Sequence, residues 1–237
     1  SLRRLDTDRI DLYYLHIWDF TTRPEEVMRG LEDLVRSGKV VYIGISDTPA
    51  WLVSRCNTLA ELRGWERFAA LQIEYSLVER TPERDLLPLA RADDMSVCTW
   101  SPLASGLLSG KYTRDGSETG RRKVTESRRY TDRNLAIART VDAIADEIGA
   151  SSAQVALAWQ RQHDPRALPI IGARTLDQLR DNLGCLHIRL GDDHMQRLAE
   201  VSAIELGFPH DFLRGDAVRT FTTAGCADQV DNHRPLG

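Results

Sequence analysis

Short apolar stretches alternate with amphipathic stretches along the chain, and the first four begin near residues 11, 41, 70 and 97, at intervals of about 30 residues. This interval is close to the length of a unit in which a strand, a helix and a second strand follow one another. Strands that alternate with helices in this way predict a parallel sheet covered by helices. The five strands are predicted within Arg9–Asp19, Val40–Ile45, Ala69–Tyr75, Val97–Thr99 and Leu168–Ile171.

Helix signals separate these strands. Pro24 suits a first helical turn, and the pairs Ser151 with Gln154 and Thr175 with Gln178 are typical of capping boxes. The last of these helices is expected to turn three leucines inward, namely Leu176, Leu179 and Leu183. Helices are predicted from Pro24 to Gly38, Pro49 to Gly64, after Thr81-Pro82, and at Leu135–Ile148, Ser151–Gln162, from Thr175, and Asp192–Ser202.

Two segments lack both patterns. Residues 113–134 are rich in Gly, Ser, Thr and basic side chains, which predicts a mobile loop, either a functional lid or a solvated charged surface. A polar carboxy-terminal tail is predicted over residues 207–237. The whole chain, 1–237, is interpreted as belonging to a single domain.

The residues at the predicted strand ends indicate which kind of parallel sheet forms. A doubly wound dinucleotide-binding fold has G-x-G-x-x-G after its first strand, and the chain contains no such triplet. A (β/α)8 barrel instead places its binding residues at the carboxyl ends of its strands. The sequence therefore favours a barrel. Polar or aromatic residues mark all five ends, at His16, Ser46-Asp47, Gln72, Trp100-Ser101 and Gly172-Arg174.

The stretch from Val97 to Tyr112, V-C-T-W-S-P-L-A-S-G-L-L-S-G-K-Y, combines a strand, an aromatic ring, a proline turn and a glycine-spaced loop. A flat ring at a strand end can stack on a flat heterocycle. Gly106 and Gly110 allow the backbone to approach a charged group that Lys111 neutralises. The spacing does not fit a phosphate-binding P-loop. The combination suits a dinucleotide, and a buried Trp beside an ordinary surface loop is the alternative.

Composition argues against several classes of partner. The chain has 237 residues, of which 42% are hydrophobic and 28% are charged, as expected of a globular protein. A net charge of -4 argues against nucleic acid as the main partner. No apolar run is long enough to cross a membrane, and a cytoplasmic location is predicted. The four cysteines lack the paired spacing of a zinc site, so no metal site is predicted.

Several motifs of the chain resemble those of the carboxy-terminal part of the aldo/keto reductases. They are S-L-R-R-L with D-L-Y-Y-L-H, G-K-V-V-Y-I-G-I-S, L-Q-I-E-Y-S, W-S-P-L-A-S-G-L-L-S-G-K-Y and I-I-G-A-R-T-L-D-Q-L-R-D-N-L, and the resemblance extends to about Arg234. This family is a (β/α)8 TIM barrel that binds NADPH across the carboxyl ends of its strands and passes hydride to a carbonyl. The resemblance implies a partial barrel, with five of the eight strand-helix units, the fourth to the eighth.

The resemblance also implies roles for individual residues. His16 corresponds to the catalytic histidine that orients and polarises the substrate carbonyl. Asp47 stands where asparagine is usual, and its carboxylate can accept a hydrogen bond from the nicotinamide amide but cannot donate one. Arg174 is the candidate partner of the 2′-phosphate that distinguishes NADPH from NADH. The implied cofactor-binding residues are Ser46, Asp47 and Gln72 at the carboxamide, Trp100 stacked on the nicotinamide, Ser101, Leu103, Ser105 and Lys111 near the pyrophosphate, and Gly172, Arg174, Gln178, Asp181 and Asn182 at the adenosine end.

The family's proton donor is a tyrosine activated by a lysine and an aspartate, and all three belong to the second and third barrel strands and their loops. Tyr13 and Tyr14 do not match this donor. We therefore interpret the chain as an incomplete piece of a reductase, whose first three units precede it or reside on another chain. Five strands cannot close a barrel. The chain alone is expected to be unstable, to bind NADPH weakly and to lack reductase activity.

Two functions are compatible with this interpretation. The first is an enzyme that reduces a small-molecule carbonyl substrate, an aldehyde or a ketone, with NADPH. The alternative is a dinucleotide-binding regulatory subunit without turnover, as in the potassium-channel β subunits that resemble the same family. The presence or absence of the tyrosine, lysine and aspartate in the remainder of the protein distinguishes the two.

Overall fold

The computed structural model describes residues 1–114 and 129–231. Five parallel strands in these residues form one sheet, and they are hydrogen-bonded in sequence order from β1 to β5. The predicted α/β architecture with five parallel strands is confirmed. The strands are β1 (Ile10–Leu15), β2 (Val40–Ser46), β3 (Phe68–Glu74), β4 (Ser96–Trp100) and β5 (Ala167–Pro169).

Helices connect the strands. Pro24 occupies the first turn of its helix, and the capping box at Ser151 is formed as predicted, because the Ser151 hydroxyl and the Gln154 amide each bond the other's backbone N–H. Gly64 ends its helix in the left-handed conformation, with φ at 64°. The helices are α1 (Leu2–Leu5), α2 (Pro24–Arg36), α3 (Ala50–Arg63), α4 (Leu86–Ala92), α5 (Asp132–Ile148), α6 (Ser152–His163), α7 (Leu176–Gly184), α8 (Asp192–Val201), α9 (His210–Arg214) and α10 (Asp216–Thr222).

One face of the sheet, the outer face, is packed against helices. Ile43, Ile45, Leu71 and Val97 on this face belong to the hydrophobic core, and each is at most 2% exposed. Burial of such side chains stabilises a fold by about 1.5 to 3 kcal/mol each. Side chains from α2, α3, α5 and α6 complete the same core, among them Met28, Val53, Val141 and Val155.

The opposite face, the lumen face, is largely open. Successive strand residues point to opposite faces. Tyr42 and Gly44 therefore lie on the lumen face, because Ile43 and Ile45 lie on the outer face. Tyr42 is 54% exposed, and Leu168, on the same face of β5, is 57% exposed. Two strand edges, those of β1 and β5, and this apolar face are therefore uncovered in the described residues, as expected of an unclosed barrel.

Tyr14 fills the middle of the lumen face. Its ring lies where a side chain on Gly44 would be, since a Cβ built on Gly44 would be 2.6 Å from the ring. Its hydroxyl lies 3.5 Å from the Cys98 sulfur on β4. Gly44 in the motif G-K-V-V-Y-I-G-I-S is thus required by the close approach of this ring.

Several predicted boundaries differ from the structure. Helix α5 begins at Asp132 rather than Leu135, because the Thr131 hydroxyl accepts a hydrogen bond from the Asn134 N–H and caps an earlier turn. Residues 132–134 of the predicted loop are therefore helical, while residues 115–128 lie outside the described residues. Strand β5 ends at Pro169 rather than Ile171, where the proline lacks a backbone donor.

The prediction for α7 was partly wrong. Its leucines are exposed rather than inward, because α7 contacts the amino-terminal end of α6 through Asp181 and buries Asn182 instead. The Thr175 hydroxyl does accept from the Gln178 N–H, as a cap should. The Gln178 side chain, however, accepts from the Arg174 N–H and not from that of Thr175, so the capping box is incomplete. The exposed residues are Leu176, Leu179 and Leu183.

The predicted tail is not irregular throughout. Its described part, residues 207–231, contains α9 and α10, and these helices expose Phe212 and Phe221. Neither they nor any other helix in the described ranges is long and apolar enough to cross a membrane.

Candidate functional site

The carboxyl ends of the strands gather the residues that were assigned to the nicotinamide side. Ser46 and Gln72 are register partners on β2 and β3. Trp100 is the last residue of β4, while His16 and Asp47 directly follow β1 and β2. The five residues therefore lie along one edge of the sheet, where parallel α/β proteins bind ligands.

The hydroxyl of Ser46 is buried without a partner. The residue is 1% exposed, and its Oγ has no hydrogen-bond partner among the described residues. A buried polar atom of this kind costs about 1 to 3 kcal/mol when it stays unsatisfied. A ligand amide at this edge would remove that cost, and the donor set fits the carboxamide of a nicotinamide.

Trp100 is held by Asp47. The indole Nε1–H donates to Asp47 Oδ1 at 3.1 Å, which fixes the ring orientation at the strand end. Asp47 has a positive φ of 43°, a conformation in which Asp and Asn are enriched. The carboxylate that departs from the family pattern thus has a structural contact of its own, with the ring that was assigned to the nicotinamide.

The loop after β4 has an unusual backbone. Ser101, Ala104 and Ser105 have φ values of 58°, 49° and 57°. Non-glycine residues in this region cost about 1 to 3 kcal/mol each, and they cluster at functional sites. Gly106 allows Lys111 to lie against the loop, because a Cβ on Gly106 would be 2.8 Å from Lys111 Cε and Nζ.

A cleft of about 830 Å3 opens between this loop and the segment that leads into α7. Its volume is within the range of about 300 to 1,000 Å3 that is usual for small-molecule sites. The remaining cofactor candidates, Ser46, Asp47, Gln72 and Trp100, are not among its lining residues. Nine cofactor-binding candidates line it, namely Ser101, Leu103, Ser105, Lys111, Gly172, Arg174, Gln178, Asp181 and Asn182.

Two cationic side chains line the cleft, Lys111 from the loop after β4 and Arg174 from the segment before α7. Arg174 is exposed and precedes the amino terminus of α7. Its backbone N–H is held by Gln178 Oε1 at 2.9 Å. A cation beside a helix amino terminus favours an anionic group such as a phosphate.

Asp181 is positioned by α6. The Ser151 hydroxyl donates to Asp181 Oδ2 at 2.9 Å, and Gln154 Nε2 donates to Oδ1 at 3.1 Å. Asn182 is buried, and its Nδ2 donates to the Gly172 carbonyl at 3.4 Å. These contacts fix the wall of the cleft at the predicted adenosine end.

Sequence reasoning missed two charged residues beside the loop that lines this cleft, Glu74 and Arg129. Arg129 Nη1 donates to the hydroxyls of Ser101 and Ser105, at 3.0 and 3.2 Å, and Nη2 lies 2.7 Å from Glu74 Oε1. Strand alternation contains the signal for Glu74, because it is two residues after Gln72 and so shares its face. Arg129 ends a run of basic residues, and no pattern marks it among them.

Tyr14 is not suited to the role of the family's proton donor. Burial raises the pKa of its hydroxyl well above the ordinary value, and the contact with Cys98 raises it further. An activated donor needs the opposite shift. The structure thus agrees with the sequence comparison, in which Tyr14 does not match the donor.

Comparison with known proteins identifies the family. Residues 1–203 match the profile described as "Aldo/keto reductase family". This match ends before the tail, whereas the resemblance inferred from the sequence extends to Arg234. The crystal structure of a thermostable aldo-keto reductase bound to the inhibitor epalrestat is similar, with a TM-score of 0.67 and 29% identity, over 84% of this chain and 62% of that one.

Curated relatives agree. Norsolorinic acid reductase of Aspergillus flavus is 34% identical over 94% of this chain and 56% of its own length. Aryl-alcohol dehydrogenase [NADP(+)] of Phanerodontia chrysosporium is 38% identical over 91% of this chain and 57% of its own length. A putative aryl-alcohol dehydrogenase of Saccharomyces cerevisiae is 34% identical over 93% of this chain and 78% of its own length. The chain thus spans little more than half the length of the first two relatives, and it belongs to the aldo/keto reductase family.

Proposed function

We propose that this chain is the cofactor-binding portion of an NADP-dependent reductase of aldehydes or ketones. The observation that carries the proposal is the cleft at the carboxyl edge of the sheet, whose lining includes Lys111 from the loop after β4 and Arg174 from the segment before α7. Trp100 ends β4, next to Ser101 of this lining. A ligand with a flat heterocycle and separated phosphates complements this arrangement. The names of two relatives, a norsolorinic acid reductase and an NADP(+)-linked aryl-alcohol dehydrogenase, support the choice of cofactor and reaction.

The residues present fit NADPH. Ser46 offers a buried hydroxyl to the carboxamide, and the indole of Trp100 offers a flat surface to the nicotinamide. Ser101 and Lys111 suit the pyrophosphate, and Arg174 suits the 2′-phosphate. When bound, NADPH supplies a hydride at its nicotinamide.

His16 is the proposed catalytic residue of this chain. It follows β1 and is exposed at the same edge as Ser46 and Trp100, so its imidazole can hold and polarise a carbonyl oxygen. The proton that completes the alcohol is assigned to a group outside this chain, because neither Tyr13 nor Tyr14 matches the family's proton donor. With the first three barrel units supplied, His16→Ala is expected to lower turnover far more than cofactor affinity.

The test of the cofactor assignment is a titration of the chain with NADPH and with NADH, followed by nucleotide fluorescence. A charge-assisted contact contributes about 1.5 to 3 kcal/mol, so Arg174→Ala should weaken NADPH binding about tenfold or more. NADH binding should change less than about twofold, because NADH lacks the 2′-phosphate. Arg180→Ala, which removes an exposed charge from α7, the helix that follows Arg174, is the matched control. Equal losses for both nucleotides would show that Arg174 is structural.

The second candidate function is dinucleotide binding without turnover, in a regulatory subunit. This function requires only the cleft and its cationic side chains, Lys111 and Arg174, and not the family's proton donor. The two candidates differ in one measurement on the protein with its remaining units. Carbonyl-dependent oxidation of NADPH that His16→Ala abolishes supports the enzyme, and tight binding without oxidation supports the subunit.

A further inference from the structure

Arg129 is anchored beside the cleft by its own backbone. Its carbonyl accepts a hydrogen bond from Asn134 Nδ2, at 2.8 Å, in the first turn of α5. The side chain extends from this point to the loop after β4, where Nη1 contacts two hydroxyls that line the cleft, those of Ser101 and Ser105. A positive charge is therefore placed behind the wall to which the cofactor's pyrophosphate is assigned.

The direction of these hydrogen bonds has a consequence for the hydroxyls. A serine hydroxyl has one proton to donate and two lone pairs to accept with. Because Arg129 has only donors, Ser101 and Ser105 both use an acceptor position toward it. The hydroxyl protons of Ser101 and Ser105 can therefore be donated to a further group. An anion is the acceptor that suits two hydroxyl donors beside a guanidinium.

Glu74 holds the other side of the guanidinium. Its Oε1 lies 2.7 Å from Arg129 Nη2, and both side chains are about one-third exposed or less, at 26% and 32%. Burial raises the pKa of Glu74, the charge of Arg129 lowers it, and the nearby carboxylates of Glu79 and Asp47 raise it again. Arg129 is thus the cation that offsets a group of carboxylates at this edge.

From this geometry we infer that Arg129 is a positioning residue of the pyrophosphate site, which acts through the hydroxyls of Ser101 and Ser105, and that Glu74 in turn aims Arg129. Arg129 adds charge to the phosphate site and turns the protons of Ser101 and Ser105 toward the ligand. Glu74 fixes the guanidinium through Nη2 and leaves Nη1 at the hydroxyls. The inference rests on the proposed cofactor function and extends it to two residues outside the family-derived set.

The test uses two probes of different parts of the nucleotide, inorganic pyrophosphate and 2′-AMP, titrated by calorimetry into the protein with its remaining barrel units supplied. Arg129→Ala should weaken pyrophosphate about tenfold and leave 2′-AMP within about twofold, whereas Arg174→Ala should do the reverse. Arg129→Lys keeps the positive charge but loses the two-pronged guanidinium group. Its affinity for pyrophosphate should lie between those of the wild type and Arg129→Ala. Arg139→Ala removes an exposed charge elsewhere on α5 and should change neither probe.

The role of Glu74 is tested by a double-mutant cycle. In the wild type, Glu74→Gln has two opposite effects on pyrophosphate affinity. It releases the guanidinium of Arg129, which lowers the affinity, and it removes a negative charge that repels the pyrophosphate, which raises it. With Ala at position 129, the second effect alone remains, so Glu74→Gln should strengthen pyrophosphate binding more there than in the wild type. Equal fold-changes in both backgrounds would exclude a positioning role.

The outcomes separate the two proposals. Pyrophosphate binding that Arg129→Ala leaves unchanged overturns the inference and leaves the cofactor function intact. Failure of the wild type to bind either probe overturns both. Loss of both probes in Arg129→Ala, with a lower unfolding temperature, would assign Arg129 a structural role and also overturn the inference.

Discussion

Two leucines on neighbouring parts of the same sheet have opposite surroundings. Leu71, on the outer face of β3, is 0% exposed, and Leu168, on the lumen face of β5, is 57% exposed. The difference is that helices cover the outer face, while nothing in the described residues covers the lumen face over β5. One side of the sheet therefore supplies most of the packing free energy that holds this chain together.

The lumen face carries residues of the proposed cofactor site instead. Ser46, Gln72 and Trp100 alternate with the buried residues of their strands and so share the side on which Tyr14 lies. Their backbone positions are set by packing on the outer face, through β2, β3 and β4. A change on the outer face should therefore alter stability, and one on the lumen face should alter binding with little change in stability.

The largest expected effect compares the two leucines directly. Leu71→Ala removes a buried side chain and leaves a cavity, which should lower the free energy of unfolding by about 2 to 5 kcal/mol. Leu168→Ala removes a side chain that is already exposed and should cost less than about 1 kcal/mol. Urea denaturation followed by circular dichroism measures both. Similar losses for the two variants would mean that the lumen face is covered in solution, by a second copy or by another segment.

The next-largest expected effect is the pH dependence of stability, which comes from a buried ion cluster behind the outer face. Arg80 Nε and Nη2 lie 2.7 and 2.9 Å from the two Glu83 oxygens, Tyr75 donates to Oε1 at 2.7 Å, and His163 Nε2 lies 3.3 Å from it. Burial raises the pKa of Glu83, but the hydrogen bonds from His163, Arg80 and Tyr75 and the charge of Arg80 lower it more, to about 2 from the usual 4.5.

The direction of this shift sets the pH dependence. Because the folded-state pKa is depressed, the stabilisation is complete above pH 4.5 and is lost as the pH falls toward 2. The loss is on the order of 3 kcal/mol, from 1.36 kcal/mol per pKa unit. Glu83→Gln should flatten this acid limb. Glu147→Gln, at an exposed bidentate pair with Arg197, should leave it nearly unchanged, and equal flattening by both variants would contradict the assignment of this limb to the partners of Glu83.

The outer face was the more predictable part of the fold. Strand and helix positions followed from local apolar periodicity, and the buried residues of β2 and β3 agree with it. The prediction that the leucines of α7 are buried was wrong, because periodicity shows that a helix has an apolar side but not whether a neighbour covers that side. The same limit explains α5, whose start at Asp132 depends on a local cap at Thr131 within an otherwise irregular stretch.

The site residues at strand ends could be predicted from the sequence. Contacts between residues that are far apart in the sequence could not. Ser46, Gln72 and Trp100 are at strand ends, which the sequence pattern marks. The contacts of Arg129 with Ser101 and Ser105 join residues separated by 28 and 24 positions, and the contact of Asp181 with Ser151 joins residues separated by 30. No local pattern predicts such pairs.

A smaller effect tests how loosely the lumen face is packed. Gly44→Ala would place a Cβ 2.6 Å from the Tyr14 ring, so the ring must move. Overpacking in a closed core costs about 1 to 3 kcal/mol, and on this open face we expect the lower end of that range. The cost should nearly vanish in a Tyr14→Ala background. A cost that persists there would place the strain in the backbone of β2 instead of in the ring contact.

The smallest effect on stability is expected at Asp47, on the edge between the two faces. Asp47→Asn keeps an oxygen that can accept from Trp100 Nε1 and keeps a residue that tolerates the positive φ of 43°. The free energy of unfolding should therefore change by less than about 0.5 kcal/mol.

The substitution Asp47→Asn also removes a negative charge near Glu74 and provides an amide that can donate as well as accept. NADPH binding should consequently tighten a few-fold, measured by titration of the chain against nucleotide fluorescence. Asp47→Ala, which removes the contact with the indole, is the contrasting variant and should weaken it. If the asparagine variant bound NADPH more weakly than the wild type, Asp47 would have a role that requires its charge, and the comparison with the usual family residue would no longer apply at this position.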